Sequence, residues 1–307
     1  MRPRAVTAFT AAVASITLAA PEVDDAMLNQ PFSDDEIAHY TCYRTPEAIA
    51  VDGRLDEPAW QRAPKSPRFV EVVTGAPAVY DTRCALLWDD ECLYVGFWVE
   101  EPYVRATLTN RDDIVFLEND VEVFIDGGDA YYEFELNALN TVYEVFFIWQ
   151  DAYRPGGRFD VPEFDLHSGQ AVSFGGNFDR SGEHFWHGTH PRGNRWAFPR
   201  WDFPGLQSAV HVDGRLNDDT DPDRGWTAEI AFPWAGMKWL ADGHPLPPRD
   251  GDLWRLLLAR YEKLELGERS ASVGYTWNRV GTPDNHMPER FTQIHFSAQS
   301  VTDRSPG

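Results

Sequence analysis

The sequence predicts an all-β protein, an antiparallel β-sandwich with one long aromatic-rich loop insertion. Three observations carry that expectation. Short segments alternate apolar and polar residues, turn-forming Asp, Gly, Asn and Pro separate them, and no strand–helix–strand rhythm runs through the chain. Its 307 residues suffice for one large sandwich, and 43% hydrophobic residues, with 14% aromatic, can fill a sizeable core. No internal repeat or low-complexity tract breaks it.

The first stretch, MRPRAVTAFTAAVASITLAAP, sets Arg2 and Arg4 before an apolar run from Ala5 to Ala20. That layout predicts a signal peptide over residues 1–20 and a secreted or periplasmic protein; the competing reading is initiation at Met27. Residues 21–38 read as a linker, 39–298 as the sandwich and 299–307 as a tail. No other stretch is apolar enough to span a membrane.

RCALLWDDECLYVGFWVEE reads as a hairpin turning at Asp89–Asp90, with Cys84 across from about Val95 and Cys92 from about Leu87. Neither cysteine then faces the other, so Cys42, Cys84 and Cys92 are expected as free thiols. Residues 119–147, NDVEVFIDGGDAYYEFELNALNTVYEVFF, follow as strand, turn and strand. Period two sends Tyr132, Phe134 and Leu136 one way and Tyr131, Glu133, Glu135 and Asn137 the other. With Glu122 alongside, this row is either the wet side of a sheet or the floor of a ligand site. Like charges so close repel one another unless a ligand or cation uses them.

SAVHVDG and GWTAEIAFPW form another antiparallel pair, ended by Pro233, which cannot donate to a ladder. WAGMKWLA is the one helical turn near the end, and DLWRLLLARYEK and RFTQIHFSA supply the last strands.

The insertion spans about residues 155–204. Its Trp186, Trp196 and Trp201 form either an aromatic wall over the concave face or a local mini-core. Arg192, Arg195 and Arg200 in the same segment could meet acidic sugars. His184, His187 and His190 stand three apart, a weak zinc signal with no helix to fix them. In NDDTDPDRGW, Asp219, Asp221 and Asp223 alternate before Gly225 as in a calcium loop, though Ile230 stands where a bidentate Glu belongs. Calcium is one reading of that loop and a solvated turn the other.

The formal net charge is −22, from 49 acidic against 27 basic residues, and no basic stripe is present. Such a chain repels phosphate backbones, which argues against nucleic-acid binding and suits cations or neutral ligands. No nucleophile elbow, phosphate loop or His–Glu zinc helix is found.

Seven segments carry a resemblance: IAVDGRLDEPAW, ALLWDDECLYVGFWVEEP, NDVEVFID, YYEFELNALNTVYEVFF, DRGWTAEIAFPW, DGDLWRLLLAR and PERFTQIHF, in that order. Together they resemble carbohydrate-binding module family 9, and more closely its free-standing bacterial members, from about Tyr40 to Phe296. The resemblance implies a jelly-roll sandwich and non-catalytic binding of plant-type or acidic polysaccharide fragments, in support of polysaccharide catabolism. It also implies that Asn137 and Glu122 contact sugar, and that calcium is a candidate structural ion. The departures weaken the family's tryptophan clamp: Phe116 stands near one position, and His286 or Met287 near the other. Glu135 replaces an arginine, and about Ala259 a glutamine. Two other functions remain open, a hydrolase of glycosidic bonds using the concave-face carboxylates and a protein-interaction module docking through the aromatic loop.

Overall fold

The computed structural model describes residues 32–176, 190–266 and 269–303. The leader-like residues 1–20, Met27, His184, Trp186 and His187 lie outside the described residues.

Among the described residues, fourteen strands follow one another. They are β1 (His39–Arg44), β2 (Val70–Glu71), β3 (Thr82–Trp88), β4 (Cys92–Glu100), β5 (Asp120–Asp126), β6 (Ala130–Asn137) and β7 (Val142–Trp149). Then come β8 (Val172–Phe174), β9 (Arg195–Phe198), β10 (Gln207–Asp213), β11 (Gly225–Pro233), β12 (Leu253–Leu266), β13 (Arg269–Thr276) and β14 (Thr292–Ser300). A short helix, α1 (Pro58–Arg62), lies between β1 and β2. The strands hydrogen-bond along one path, β10-β11-β4-β3-β1-β14-β12-β5-β6-β7-β9-β8, with β13 and β2 branching from β12.

That path folds over on itself. Phe134 of β6 meets Phe232 of β11 edge-on with ring centroids 5.6 Å apart, although the two strands lie far apart along the path. Tyr132, Phe134 and Leu136 all join this core with Val95, Phe97 and Ile230 from the opposite layer. The sandwich expected from the strand pattern is therefore present, but it is not wholly antiparallel. β1 runs parallel to both β14 and β3. Residue alternation reports which face a side chain takes and says nothing of strand direction, so these pairs were not readable.

Two local expectations also change. The β3–β4 turn takes four residues, with Trp88 opposite Leu93 and Cys84 opposite Phe97 rather than Val95. Asp89 builds it: its side chain accepts the amides of Glu91 and Cys92, and its own amide bonds the Cys92 carbonyl. The cysteines are free, as expected. WAGMKWLA contributes only a single 3-10 turn, Trp234–Gly236.

Both outer faces of the sandwich are covered, which is why β5, β6 and β7 are buried along nearly their whole length. α1 lays Trp60 on β4, where Gly96 leaves room; a side-chain carbon there would come within 3.3 Å of the indole. On the other sheet, residues of the 277–291 segment pack Val280, Met287 and Phe291 on Phe124, Tyr131 and Leu257. The long insertion is also partly sheet: β9 pairs with β7 and β8 with β9, extending that layer at its edge.

Candidate functional site

The acidic row lies on the covered side of the second sheet. Pairing of β5 with β6 sets Glu122 directly opposite Glu135 and Asp120 opposite Asn137, while β12 brings Ala259 beside Glu122 and Tyr261 beside Asp120. Side chains opposite one another project to one face, so the strand parity read from the sequence holds. It yields a concentration of carboxylates where no plain solvent face exists: Asp120, Glu122, Glu133 and Glu135 are all at most 7% exposed.

Above them opens a cavity of about 460 Å³. Glu122, Glu133 and Glu135 form its floor, and Phe116, Tyr143, Phe147, Phe174, Tyr261, Lys263 and His286 are among the residues that line it above them. Phe116, the ring expected near one clamp position, lines the cavity and meets Tyr143 edge-on at 5.7 Å. Tyr261 faces Gly274 on β13, and a side-chain carbon at Gly274 would lie 3.0 Å from its ring. The glycine thus leaves the ring room to lie across the neighbouring strand. A second cavity, of about 580 Å³, shares Leu117 and Lys263 with the first. Exposed Val79, Tyr103 and Leu117 line it.

His286 is held in place by a chain of contacts. Arg195, fully buried, donates from Nε to the Tyr131 hydroxyl at 2.9 Å, and that hydroxyl lies 3.0 Å from His286 Nδ1. The Tyr131 hydroxyl thus links the Arg195 guanidinium to the imidazole. Nε2 then points at Glu133 Oε1, 3.6 Å away. His286 also packs against Phe124, Phe147 and Phe174. His286 therefore lines the cavity as a buried edge held by its neighbours rather than as a flat, open ring.

Burial raises the carboxyls. Glu122 is pushed up to about 8 by desolvation, against the pull of the Asn285 amide that donates to it at 2.9 Å. Asp120 and Glu135 are also pushed well up, first by burial and then by the neighbouring carboxylates. Near neutral pH the floor therefore carries protons as well as charge, and it can both donate to and accept from hydroxyl groups.

Several expected site residues lie elsewhere. Asn137 is fully buried and shares the face, but it does not line the cavity. Its Nδ2 donates to the Leu108 carbonyl and Glu118, and its Oδ1 accepts the amides of Leu139 and Thr141, so it holds a turn together with no atom left for a sugar. Trp196 and Trp201 pack into the sandwich core: Trp201 lies 4.7 Å from Phe146, centroid to centroid, and donates to Glu163. The pairing of Phe147 with Ala197 explains this, because it turns Ala197 to the cavity and its neighbour Trp196 away. Met287 belongs to the covering segment and is buried against the sheet. Arg192 is paired with Asp129 and Asp151, while Arg195 is sealed in the relay just described.

The calcium-like loop is not gathered into a site. Asp219 pairs with Arg105 and Asp221 with Arg215, and Asp223 accepts the amides of Val104 and Arg215. Of the three spaced histidines only His190 is described, and it bonds Glu289 at 2.9 Å. Among the described residues, one group of acids converges closely enough to share an ion: Asp120, Glu122 and Glu135, with ligand oxygens within 4.8 Å of one another. Asp120 and Asn285 were missed in the sequence. Alternation backward from Glu122 would have found Asp120; Asn285 arrives from a segment more than 160 residues away and left no local signal.

Comparison with known proteins agrees with the resemblance read from the sequence. Residues 51–156, which include Phe116, Glu122, Glu133, Glu135 and Tyr143, match the family described as carbohydrate family 9 binding domain-like. A proposed carbohydrate-binding protein of Bacteroides uniformis ATCC 8492 shares the fold at a TM-score of 0.53 and 13% identity, covering 85% of this chain and 99% of that one. A family 9 module of Caldicellulosiruptor kristjanssonii in complex with cellotriose aligns at 0.43 and 13%, over 87% and 98% of the two chains. The module from the same organism in complex with glucose aligns at 0.43 and 12%, over 87% and 100%. No curated protein sequence matches the chain.

Proposed function

From a chain that carries a carbohydrate family 9 binding domain-like region, we infer that the acid-floored cavity binds a carbohydrate and does not cleave it. One observation carries the reading: aromatic walls and hydrogen-bonding carboxyls converge on one concave space, and its acidic floor and the Phe116–Tyr143 wall lie within the matched residues. A pyranose offers apolar C–H faces and a rim of hydroxyls, and a site for it needs flat rings beside convergent polar groups. Phe116, Tyr143 and Tyr261 supply the rings, and Glu122, Glu133, Glu135 and Lys263 the polar rim. The size suits a short saccharide. The neighbouring cavity across Leu117 and Lys263 gives a longer chain somewhere to continue. The reading extends to export through residues 1–20 and to a supporting role in polysaccharide catabolism outside the cytoplasm.

The test is a glycan array on the full chain, followed by calorimetry on the best ligand and on its longer oligomers. The expected result is saturable binding that tightens with chain length, is lost at least tenfold in Glu133→Gln, and leaves the glycan intact. Release of new reducing ends from the bound glycan would replace binding with hydrolysis. Absence of any glycan ligand, with folding intact, would remove the reading altogether.

A further inference from the structure

We propose that Asp120, Glu122 and Glu135, with the side-chain oxygen of Asn285, bind a hard divalent cation, calcium by the chemistry of the donors, at the base of the cavity. The three carboxylates can each offer an oxygen within 4.8 Å of the others, and all three residues are at most 3% exposed. Convergence alone would be a crowded acid cluster. The second observation is a set of oxygens without partners.

Asn285 is 1% exposed and donates from Nδ2 to Glu122 at 2.9 Å, which fixes its amide beside the cluster, while its Oδ1 accepts no hydrogen bond among the described residues. Asp120 Oδ2 and Glu135 Oε2 are buried and unpartnered as well. A buried polar atom left unpaired costs about 1–3 kcal/mol, more if charged, so three together need a common explanation. An ion coordinated by those oxygens is one.

The donor set selects the kind of ion. All the atoms are oxygens, three from carboxylates and one neutral, with no imidazole or thiolate within the cluster. Oxygen-only sets favour hard cations over zinc or copper. Calcium accepts six to eight oxygens at about 2.3–2.6 Å in irregular geometry and tolerates the mixture. Glu122 and Glu135 also line the cavity floor, so the coordination positions left open face solvent or a bound ligand.

Two neighbours limit the site. Lys263 acts on Asp120 as a favourable charge, and Glu133 acts on Asp120 and Glu135 as an unfavourable one. An ion would relieve the second without displacing the first.

Cation binding is measured without sugar, so its failure and the failure of the carbohydrate reading are separate results. The full chain is stripped with EDTA, passed into chelator-free buffer at pH 7.5 and titrated with calcium chloride by calorimetry; thermal melts are run in parallel. Saturable binding at a single site with a higher melting temperature is expected, weakened at least tenfold in both Asp120→Asn and Glu135→Gln. Both variants keep an oxygen for the backbone amide their parent accepts, from Tyr261 and Phe116 respectively, so both should fold. Asp221→Asn, in the acidic loop, should bind as the parent does. Absence of saturable binding at millimolar calcium would overturn the proposal, as would unchanged affinity in the two cluster variants or a loss confined to Asp221→Asn.

Discussion

Replacing Asn137 by alanine should unfold the protein more easily without changing its affinity for the cavity's ligand. The side chain makes four hydrogen bonds of 3.0–3.1 Å from a fully buried position. Two join the turn that links β6 to β7, and two tie in the Leu108 carbonyl and Glu118 from the preceding connection. Their loss is not uniform. The Leu108 carbonyl keeps the Thr141 hydroxyl and Glu118 keeps Thr107, but the buried Thr141 amide has nothing to replace Oδ1, whereas the Leu139 amide sits near an exposed tip. At about 1 kcal/mol per ordinary bond and 1–3 for a stranded buried donor, the total comes to roughly 4–6 kcal/mol. For a domain of this size about 2–4 °C is lost per kcal/mol, so the melting temperature should fall by roughly 8–24 °C. The assay pairs thermal denaturation followed by circular dichroism with calorimetry well below the transition. A variant that melts within about 2 °C of the parent but binds its glycan tenfold more weakly would refute the assignment and return Asn137 to the ligand.

Phe116→Ala should weaken glycan binding by about 1–2 kcal/mol through loss of the ring wall, with little change in stability because the ring is only partly buried; calorimetry showing undiminished affinity would exclude that wall. Trp201→Ala should cost about 3–5 kcal/mol of stability as a core cavity while leaving ligand affinity unchanged, measured by chemical denaturation and titration. Glu262, buried beside Arg260, is pushed from 4.5 up to about 7, chiefly by burial, so its contribution to stability is full below pH 4.5 and is lost as pH rises through about 7. Arg260 keeps Glu101 when Glu262 is neutralised, so the stability of Glu262→Gln relative to the parent should improve from pH 5 to pH 8; a difference independent of pH would refute the shift.

Much of the site was legible because alternation along a strand is local. Glu133 and Glu135 could be placed with Tyr131 on one face from the sequence alone, and the parity of Glu122 follows in the same way. Phe116 and His286 could be named by position, although not their neighbours. What could not be read was the partner of each strand. Trp196 looked like a binding residue until β9 was known to pair with β7 in a register that presents Ala197 instead. Asn137 has the right parity but sits at the last residue of β6, where a turn claims its amide. The row also looked half-exposed, because nothing near it announces the 277–291 segment that covers much of its sheet.

The interior holds other acids, and comparison with them separates a structural carboxylate from one kept for another use. Glu229 accepts the Trp60 indole and the amides of Asp52 and Gly53. Glu101 accepts Asn119 and Trp226 and pairs with Arg260. Glu144 takes the Tyr132 hydroxyl and the Phe203 amide on one oxygen and Arg111 on the other. In each case the fold has supplied donors or a cation to compensate a desolvated charge, as burial of an ion requires. Asp120 and Glu135 differ: each has a buried oxygen that accepts no hydrogen bond among the described residues. If these groups only shaped the core, an apolar residue of similar size would serve at lower cost, because an ion pair or acid replaced by well-packed hydrophobic groups is often neutral or stabilising. Four acids retained together on one buried face, at the base of an open cavity, are accounted for when the missing partners come from outside the chain, as ligand hydroxyls, a cation or both.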